Sequence, residues 1–237
     1  TTTNTLSGRY GSTSVLYNNN YYLFGGNRYG HRNETWKLDL TQSTPSWSEL
    51  TTTGNTPPAR TYSNSVLYNG KMIIFGGQGS SYYNDVWQLD LTSLTWVQLH
   101  DGTGTAPTIR YGHTLSIIGD YLYTFGGRYS NTTYNETWKF DLTNNTWSQL
   151  NTTGTHPSTR YDTDSIIYNN NLYIFGGDYP TPSANYYNDV WELNLSTFAW
   201  NEIHDGTGTA PSIRGRNKPV LYNDKMYIFG GNNTSNL

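Results

Sequence analysis

The sequence contains no cysteine. That excludes disulfides, thiolate metal centres and cysteine nucleophiles. It leaves compartment open, because secreted proteins with an adequate core do without disulfides. Charge is scarce too: charged residues make up 13%, with 14 Lys and Arg against 17 Asp and Glu, for a net charge of −3. No basic run or stripe appears, so nucleic acid is not an expected partner. No apolar stretch approaches the length of a membrane span. No segment has helical periodicity. Hydrophobic residues reach only 34%, too few for a thick aliphatic core. In their place stand Thr, Asn, Ser and Gly, together with 22 Tyr and 8 Trp. Aromatic rings packed between sheets can supply the buried apolar area that aliphatic residues do not. The chain opens at Thr1, with no initiator Met and no signal-like apolar segment. The expectation is a processed chain or an excised piece.

Self-similarity organises the sequence. Gly25-Gly26 recurs as Gly76-Gly77, Gly126-Gly127, Gly176-Gly177 and Gly230-Gly231, a period of about 50 residues. An Arg precedes each pair at a near-constant interval: Arg9, Arg60, Arg110, Arg160 and Arg214. Trp36, Trp87, Trp138 and Trp191 follow the glycines, and Trp47, Trp96, Trp147 and Trp200 follow those. Within the second unit, Ser65-Val66-Leu67-Tyr68 reads as a strand, and Asn69-Gly70 as a tight hairpin turn. Lys71 to Phe75 forms a second strand that stops at Gly76-Gly77. Asp85 to Asp90 alternates as a half-buried third strand, and Thr95 to Leu99 is the fourth. Four short strands repeated radially are the blades of a β-propeller.

The recurring Arg, the aliphatic-Phe-Gly-Gly strand end, Asp85-Val86-Trp87-x-Leu89-Asp90 and the second Trp resemble the kelch repeat along essentially the whole chain. The long connections, such as His100 to Pro107, resemble those of free-standing kelch scaffolds, and no BTB-like segment is present. The resemblance implies an all-β, kelch-type propeller of four complete four-stranded blades and the first half of a fifth. The blades are expected at about 7–50, 58–99, 108–150, 158–203 and 212–237. It also implies structural work for the repeated residues. The glycines end the second strands where backbones crowd, the Trp rings fill the wedge between sheets, and the Arg side chains hydrogen-bond buried carbonyls.

A longer period overlies the first. Units one and three share Arg28-Tyr29 and Arg128-Tyr129, and Asn33 to Lys37 and Asn135 to Lys139. Units two and four share Tyr82 to Trp87 and Tyr186 to Trp191, and both end in His-Asp-Gly-Thr-Gly-Thr-Ala-Pro, at His100 and His204. The fifth unit therefore opens a third pair. The expectation is a six-bladed ring, completed past Leu237 or by a neighbouring chain.

The kelch resemblance puts partners on the face formed by the connections between second and third strands and between successive units. There the sequence places Arg28, Tyr29, His31 and Arg32; Tyr82 and Tyr83; Arg128, Tyr129 and Tyr134; and Asp178, Tyr179, Tyr186 and Tyr187. Tyr and Arg are the residues that most often dominate binding energy. The alternative is that the second Tyr of each pair packs on its own strand. His100 and His204 are expected to hydrogen-bond their loops rather than bind metal, and His113 to be structural.

Catalysis is not expected and no cofactor is implied. The copper-radical oxidases with kelch-like propellers need a Cys–Tyr cross-link, which a chain without Cys cannot form. The plant specifier proteins carry Glu-x-x-x-Asp-x-x-x-His, and Glu34 to Asp39 has the wrong spacing and no following His. Sequons stand at Asn33, Asn131, Asn135, Asn144, Asn151, Asn194, Asn232 and Asn233. Chance alone gives about six in a chain so rich in Asn, Ser and Thr, but all fall at turns or strand starts that could carry N-glycans.

The leading expectation is a non-catalytic binding or scaffold module. It would act on a protein or glycan through its loop face, or self-associate through open strand edges. The second is a structural subunit of an extracellular or surface glycoprotein assembly or fibril. The third is an enzyme whose active residues lie outside this segment. An extracellular or cell-surface location is expected, with a cytoplasmic one as the alternative.

Overall fold

A computed structural model describes residues 5–179 and 185–233, and these contain strands and turns but no helix. The chain forms two compact units. The first runs to Gly104 and takes in Thr108–Tyr111; the second holds Thr105–Pro107 and the chain from Gly112 onward.

The first unit contains two sheets. One is β1 (Thr13–Tyr17), β2 (Asn20–Phe24), β3 (Thr35–Asp39) and β4 (Ser46–Leu50), antiparallel and in sequence order. The other is built from β5 (Thr53–Gly54), β6 (Asn64–Tyr68), β7 (Lys71–Gln78), β8 (Tyr82–Asp90) and β9 (Thr95–His100). Its strands β6 to β9 run antiparallel in order. β5, from the incoming connection, lies parallel to β9, with Thr53 opposite Thr95.

The second unit repeats the plan. β10 (Ser116–Ile118) and β11 (Tyr121–Phe125) are followed by the two-residue strands β12 (Arg128–Tyr129) and β13 (Thr132–Thr133). β14 (Thr137–Asp141) and β15 (Thr146–Gln149) complete that four-stranded sheet. β16 (Thr153–Gly154), β17 (Asp164–Tyr168), β18 (Asn171–Tyr179), β19 (Asn185–Asn194) and β20 (Ala199–His204) form the next, with β16 parallel to β20. β21 (Lys218–Tyr222) and β22 (Lys225–Phe229) form a hairpin sheet of two strands.

Local sequence explains the hairpins. Asn69 and Gly70 both have positive φ, at 46° and 72°, as a two-residue type I′ turn requires. Asn18-Asn19, Asn169-Asn170 and Asn223-Asp224 solve the same turn with residues that tolerate the left-handed region.

The cores lie between sheets. In the first unit Val15, Tyr22 and Phe24 of one sheet pack with Met72, Ile74, Trp87, Leu89 and Trp96 of the other. Phe24 meets the Trp96 ring at a centroid distance of 5.0 Å. The second unit repeats the contact with Phe125 and Trp200 at 5.1 Å. A fourth-strand Trp thus fills the wedge against the preceding sheet, the role expected of these rings.

Alternating antiparallel strands send the second-to-third connection out of a sheet at the end where the chain enters the first strand and leaves the fourth. That end carries the Gly-Gly pairs and the repeated Arg.

Candidate partner-binding site

The loop ends of the β6–β9 and β17–β20 sheets rest on a buried ionic frame. Arg60 is fully buried. Its Nη1 donates to the Gly76 carbonyl at 3.0 Å and to Asp85 Oδ1 at 2.6 Å, and its Nη2 donates to Asp85 Oδ2 at 2.9 Å. Trp87 Nε1 donates to the same carboxylate at 2.7 Å. The Tyr83 ring lies 4.2 Å from the guanidinium carbon. Arg160 repeats every contact: Gly176 at 2.9 Å, Asp189 at 2.6 and 2.8 Å, Trp191 onto Asp189 at 2.7 Å, and Tyr187 at 4.2 Å. Arg9 pairs with Glu34 at 3.2 Å in a more open version.

The carbonyl bonds were expected of these arginines; Asp85 stood within a repeat landmark, but no carboxylate was expected to pair with them. Their signal is there, since Glu34, Asp85, Glu136 and Asp189 each stand two residues before a third-strand Trp.

The glycines link one repeat to the next. Gly26, Gly77, Gly127 and Gly177 each donate their backbone N–H, at 2.9 Å, to the carbonyl of the following repeat's Arg. A Cβ on Gly25 would lie 2.6 Å from the Arg60 carbonyl oxygen, and one on Gly176 would lie 2.5 Å from that of Arg214. Backbone crowding therefore demands glycine there.

On this frame sit residues whose chemistry differs between repeats. The second residue after each repeated Arg is left-handed throughout: Gly11, Tyr62, Gly112, Asp162 and Arg216, with φ from 51° to 65°. In the first unit Tyr62 lies between Tyr10 and Tyr111, with ring centroids at 6.0 and 5.9 Å, and Tyr82 stacks on Tyr111 at 5.8 Å.

In the second unit Asp162 accepts from Arg216 Nε at 2.7 Å. Burial pushes its carboxyl above the usual range, with the Arg216 charge opposing. Next to it Tyr161 donates its hydroxyl to Asp178 at 2.6 Å, and Arg128 Nη1 donates to that hydroxyl at 3.3 Å. Burial, then the bond to Asp178, drive the Tyr161 phenol well upward. The Tyr186 phenol is raised as well, first by burial and then by the Asp178 charge.

The residues singled out in the sequence divide into three groups. Tyr29 is 95% exposed at φ 52°, beside the Arg28 guanidinium at 5.5 Å. Arg32 reaches back to the Arg28 carbonyl at 3.2 Å and lies 3.6 Å from Glu34, and His31 bridges Asn27 through the backbone. Arg128 and Tyr129 are in β12, and Tyr134 ties Gly127 to Arg160 through its backbone.

Tyr82, Tyr83, Tyr186 and Tyr187 were placed on loops by the sequence but are strand residues of β8 and β19. A bulge after Phe75 and after Phe175 lets Gly77 and Gly177 continue the pairing, opposite Tyr83 and Tyr187, so the hairpin extends past the Gly-Gly pair. Tyr179 ends β18 opposite Asn185. Tyr83 and Tyr187, stacked on Arg60 and Arg160, are committed to the frame. The sequence missed Tyr10, Tyr62, Tyr111, Tyr161, Asp162 and Arg216. Comparing the two residues after each repeated Arg across the five units would have exposed them as variable positions inside a constant frame.

His100 and His204 accept, through Nδ1, the N–H of Gly102 and Gly206 at 2.9 Å, the loop bonds expected of them. His113 is fully buried. Among the described residues no group of three or more His, Asp or Glu could hold a metal. Of the sequon asparagines, Asn33, Asn131, Asn135, Asn144, Asn151 and Asn232 are exposed, and Asn194 and Asn233 are half-buried. Asn135 donates to the Pro157 carbonyl, Asn144 donates to Asp141, and Asn194 accepts from the N–H groups of Ser196 and Thr197.

Buried arginines paired with third-strand acids, doubled glycines and wedge-filling tryptophans define a repeat module of the propeller class. The chain belongs to the kelch-repeat family: residues 11–231 match the family model described as the KLHDC2/KLHL20/DRC7 Kelch-repeats domain. Its fold class is the all-β, kelch-type β-propeller. It is 32% identical over 239 residues to Tip elongation aberrant protein 1 of Schizosaccharomyces pombe, covering 97% of this chain and 16% of that protein. It is 30% identical over 242 residues to Kelch domain-containing protein 3 of Rattus norvegicus, covering 96% of this chain and 62% of that protein. Host cell factor 2 of Homo sapiens is 34% identical over 137 residues, covering 50% of this chain and 17% of that protein. The chain thus spans less than two thirds of the length of these relatives.

Proposed function

We propose that this chain is a non-catalytic recognition module that binds a protein partner at the loop ends of its sheets. One observation carries the reading. At a single repeat position, held left-handed in every unit, Gly11 and Gly112 alternate with Tyr62, Asp162 and Arg216. A left-handed conformation costs a residue with a Cβ about 1–2 kcal/mol. Strain of this kind concentrates at binding surfaces. The frame beneath is the same in Arg60 and Arg160 down to each hydrogen bond, so the units differ at this position and not in the support. Tyr29, almost wholly exposed next to Arg28, adds a rigid aromatic contact of the type that dominates interfaces.

The test is quantitative affinity capture with the folded chain as bait, comparing wild type, Tyr29→Ala/Tyr62→Ala and Arg216→Glu. A control substitution, Thr92→Ala, sits in the opposite, β8–β9 turn. Partners that survive the control and disappear with the loop variants support the proposal. Partners unaffected by all three loop substitutions refute it.

A further inference from the structure

In the first unit the loop end carries a series of phenol rings. Tyr10, Tyr62, Tyr111 and Tyr82 meet in that order, with centroids 6.0, 5.9 and 5.8 Å apart. Tyr62 and Tyr82 belong to the second repeat, which has a repeat on each side of it in the chain. Backbone pairing sets the rings in place. Tyr10 donates its N–H to the Asn27 carbonyl at 3.2 Å and accepts the Asn27 N–H at 2.8 Å, and the Tyr62 N–H donates to the Gly11 carbonyl at 2.8 Å. Tyr82 lies on β8 opposite Gln78. The Tyr62 ring sits so close over Gly11 that a Cβ there would be 3.2 Å from two of its carbons.

A second observation is independent of the ring contacts. Tyr62 holds a left-handed backbone, φ 56°, at the position where the first and third repeats have Gly11 and Gly112. A bulky side chain is uncommon in that region, so the ring is kept there against its own backbone preference. The same two positions after the repeated Arg carry Tyr161-Asp162 and Gly215-Arg216 in the second unit, and there Arg216 pairs with Asp162 at 2.7 Å. One unit thus offers aromatic faces where the other offers an ion pair.

We propose that this series of rings takes a proline-rich segment in the polyproline II conformation, which rests on the reading of the loop ends as a partner-binding site and names the class of partner. Shape is the first reason. The Tyr10–Tyr62 and Tyr62–Tyr111 pairs are tilted by 44° and 39°. Tilted neighbours leave shallow clefts of the kind that take pyrrolidine rings, whereas a sugar ring stacks on a flat platform. Spacing is the second. Polyproline II rises about 3.1 Å per residue, so each step between rings matches one two-residue Xaa-Pro unit. Polarity is the third. Proline has no N–H, so the segment presents carbonyl acceptors, and tyrosine hydroxyls are donors. Charge gives the direction. Arg28 follows Asn27 at the Tyr10 end, with its guanidinium 5.5 Å from the Tyr29 ring. An acidic residue on that end of the segment complements it.

The experiment titrates a labelled oligoproline bearing one terminal Asp with the full 237-residue chain, followed by fluorescence anisotropy. Saturable binding is expected, with at least a tenfold loss for Tyr62→Gly. That substitution removes the ring and installs the residue that the neighbouring repeats carry at the same φ, so the fold is kept, as circular dichroism should verify. A comparable loss is expected for Tyr82→Ala, and none for Thr92→Ala in the opposite turn. No saturable binding, equal binding by Tyr62→Gly, or binding of a cello-oligosaccharide in place of the oligoproline overturns the proposal. The capture assay separates the two readings. If Tyr29→Ala/Tyr62→Ala still strips partners while oligoproline fails to bind, the partner class is wrong and the site stands.

Discussion

Removing the carboxylate from Asp85 tests the frame most directly. Asp85→Ala deletes the acceptor of three hydrogen bonds, two from Arg60 at 2.6 and 2.9 Å and one from Trp87 at 2.7 Å. It leaves a guanidinium with no solvent exposure and no counter-charge. Breaking a buried pair by removing one partner costs about 3–5 kcal/mol, a large share of the roughly 5–15 kcal/mol that a domain possesses. With a urea m-value of about 2 kcal/mol/M, the midpoint falls by about 2 M. Tryptophan fluorescence reads the transition, since Trp87 is itself a ligand of the lost group. Two comparisons sharpen the result. Glu34→Ala, at the more open Arg9–Glu34 pair, should cost about 1 kcal/mol. Arg60→Met/Asp85→Leu removes both charges and refills the site with apolar side chains, and should be less harmful than Asp85→Ala alone. The reasoning is refuted if Asp85→Ala costs no more than Glu34→Ala, or if the double variant is worse than the single.

Other outcomes follow from single geometries. Gly176→Ala places a Cβ 2.5 Å from the Arg214 carbonyl at φ 62° and should lower the melting temperature clearly, whereas Gly8→Ala meets nothing within 4 Å and should leave it unchanged. Trp96→Ala empties a site 1% exposed under Phe24 and should cost about 3–5 kcal/mol in denaturant unfolding. Asp141 is held below the ordinary carboxylate value of 3.8, first by the Thr143 hydroxyl and then by the Thr143 N–H, and Asp39, Asp101 and Asp205 have the same pattern. A depressed folded value contributes stability above the unfolded value and loses it as pH falls through the folded one. Stability should therefore decline on acidification below about 4, and Thr143→Val should raise the Asp141 titration midpoint followed by NMR. Asp162, raised by burial, has the opposite sign: its contribution is present at low pH and fades as pH climbs through its raised value.

The frame was readable because it repeats. Arg60 and Arg160, the glycines and the eight tryptophans recur in register, and a recurring residue in a repeat protein is one that every unit needs for folding. The Asn69-Gly70 turn was readable from two residues, because φ above zero at both positions admits few side chains. The acids before the third-strand Trp recur just as regularly, and their pairing with the Arg was not read because Glu34 and Asp85 differ in type. The proposed binding surface is hidden for the converse reason. Tyr62, Asp162 and Arg216 share a conformation and no chemistry, so only their place two residues after a repeated Arg marks them as one position.

The sequence by itself determined the strands, their hairpins, the period and the family, since these follow from local φ preferences and from spacing along the chain. Only the tertiary structure decided that Tyr82-Tyr83 and Tyr186-Tyr187 continue a strand past a bulge. It alone showed that Arg60 and Asp85, 25 residues apart, share one buried site. Those facts depend on which groups meet across strands and between repeats, where desolvation makes a missing counter-charge costly. A linear pattern does not carry that information.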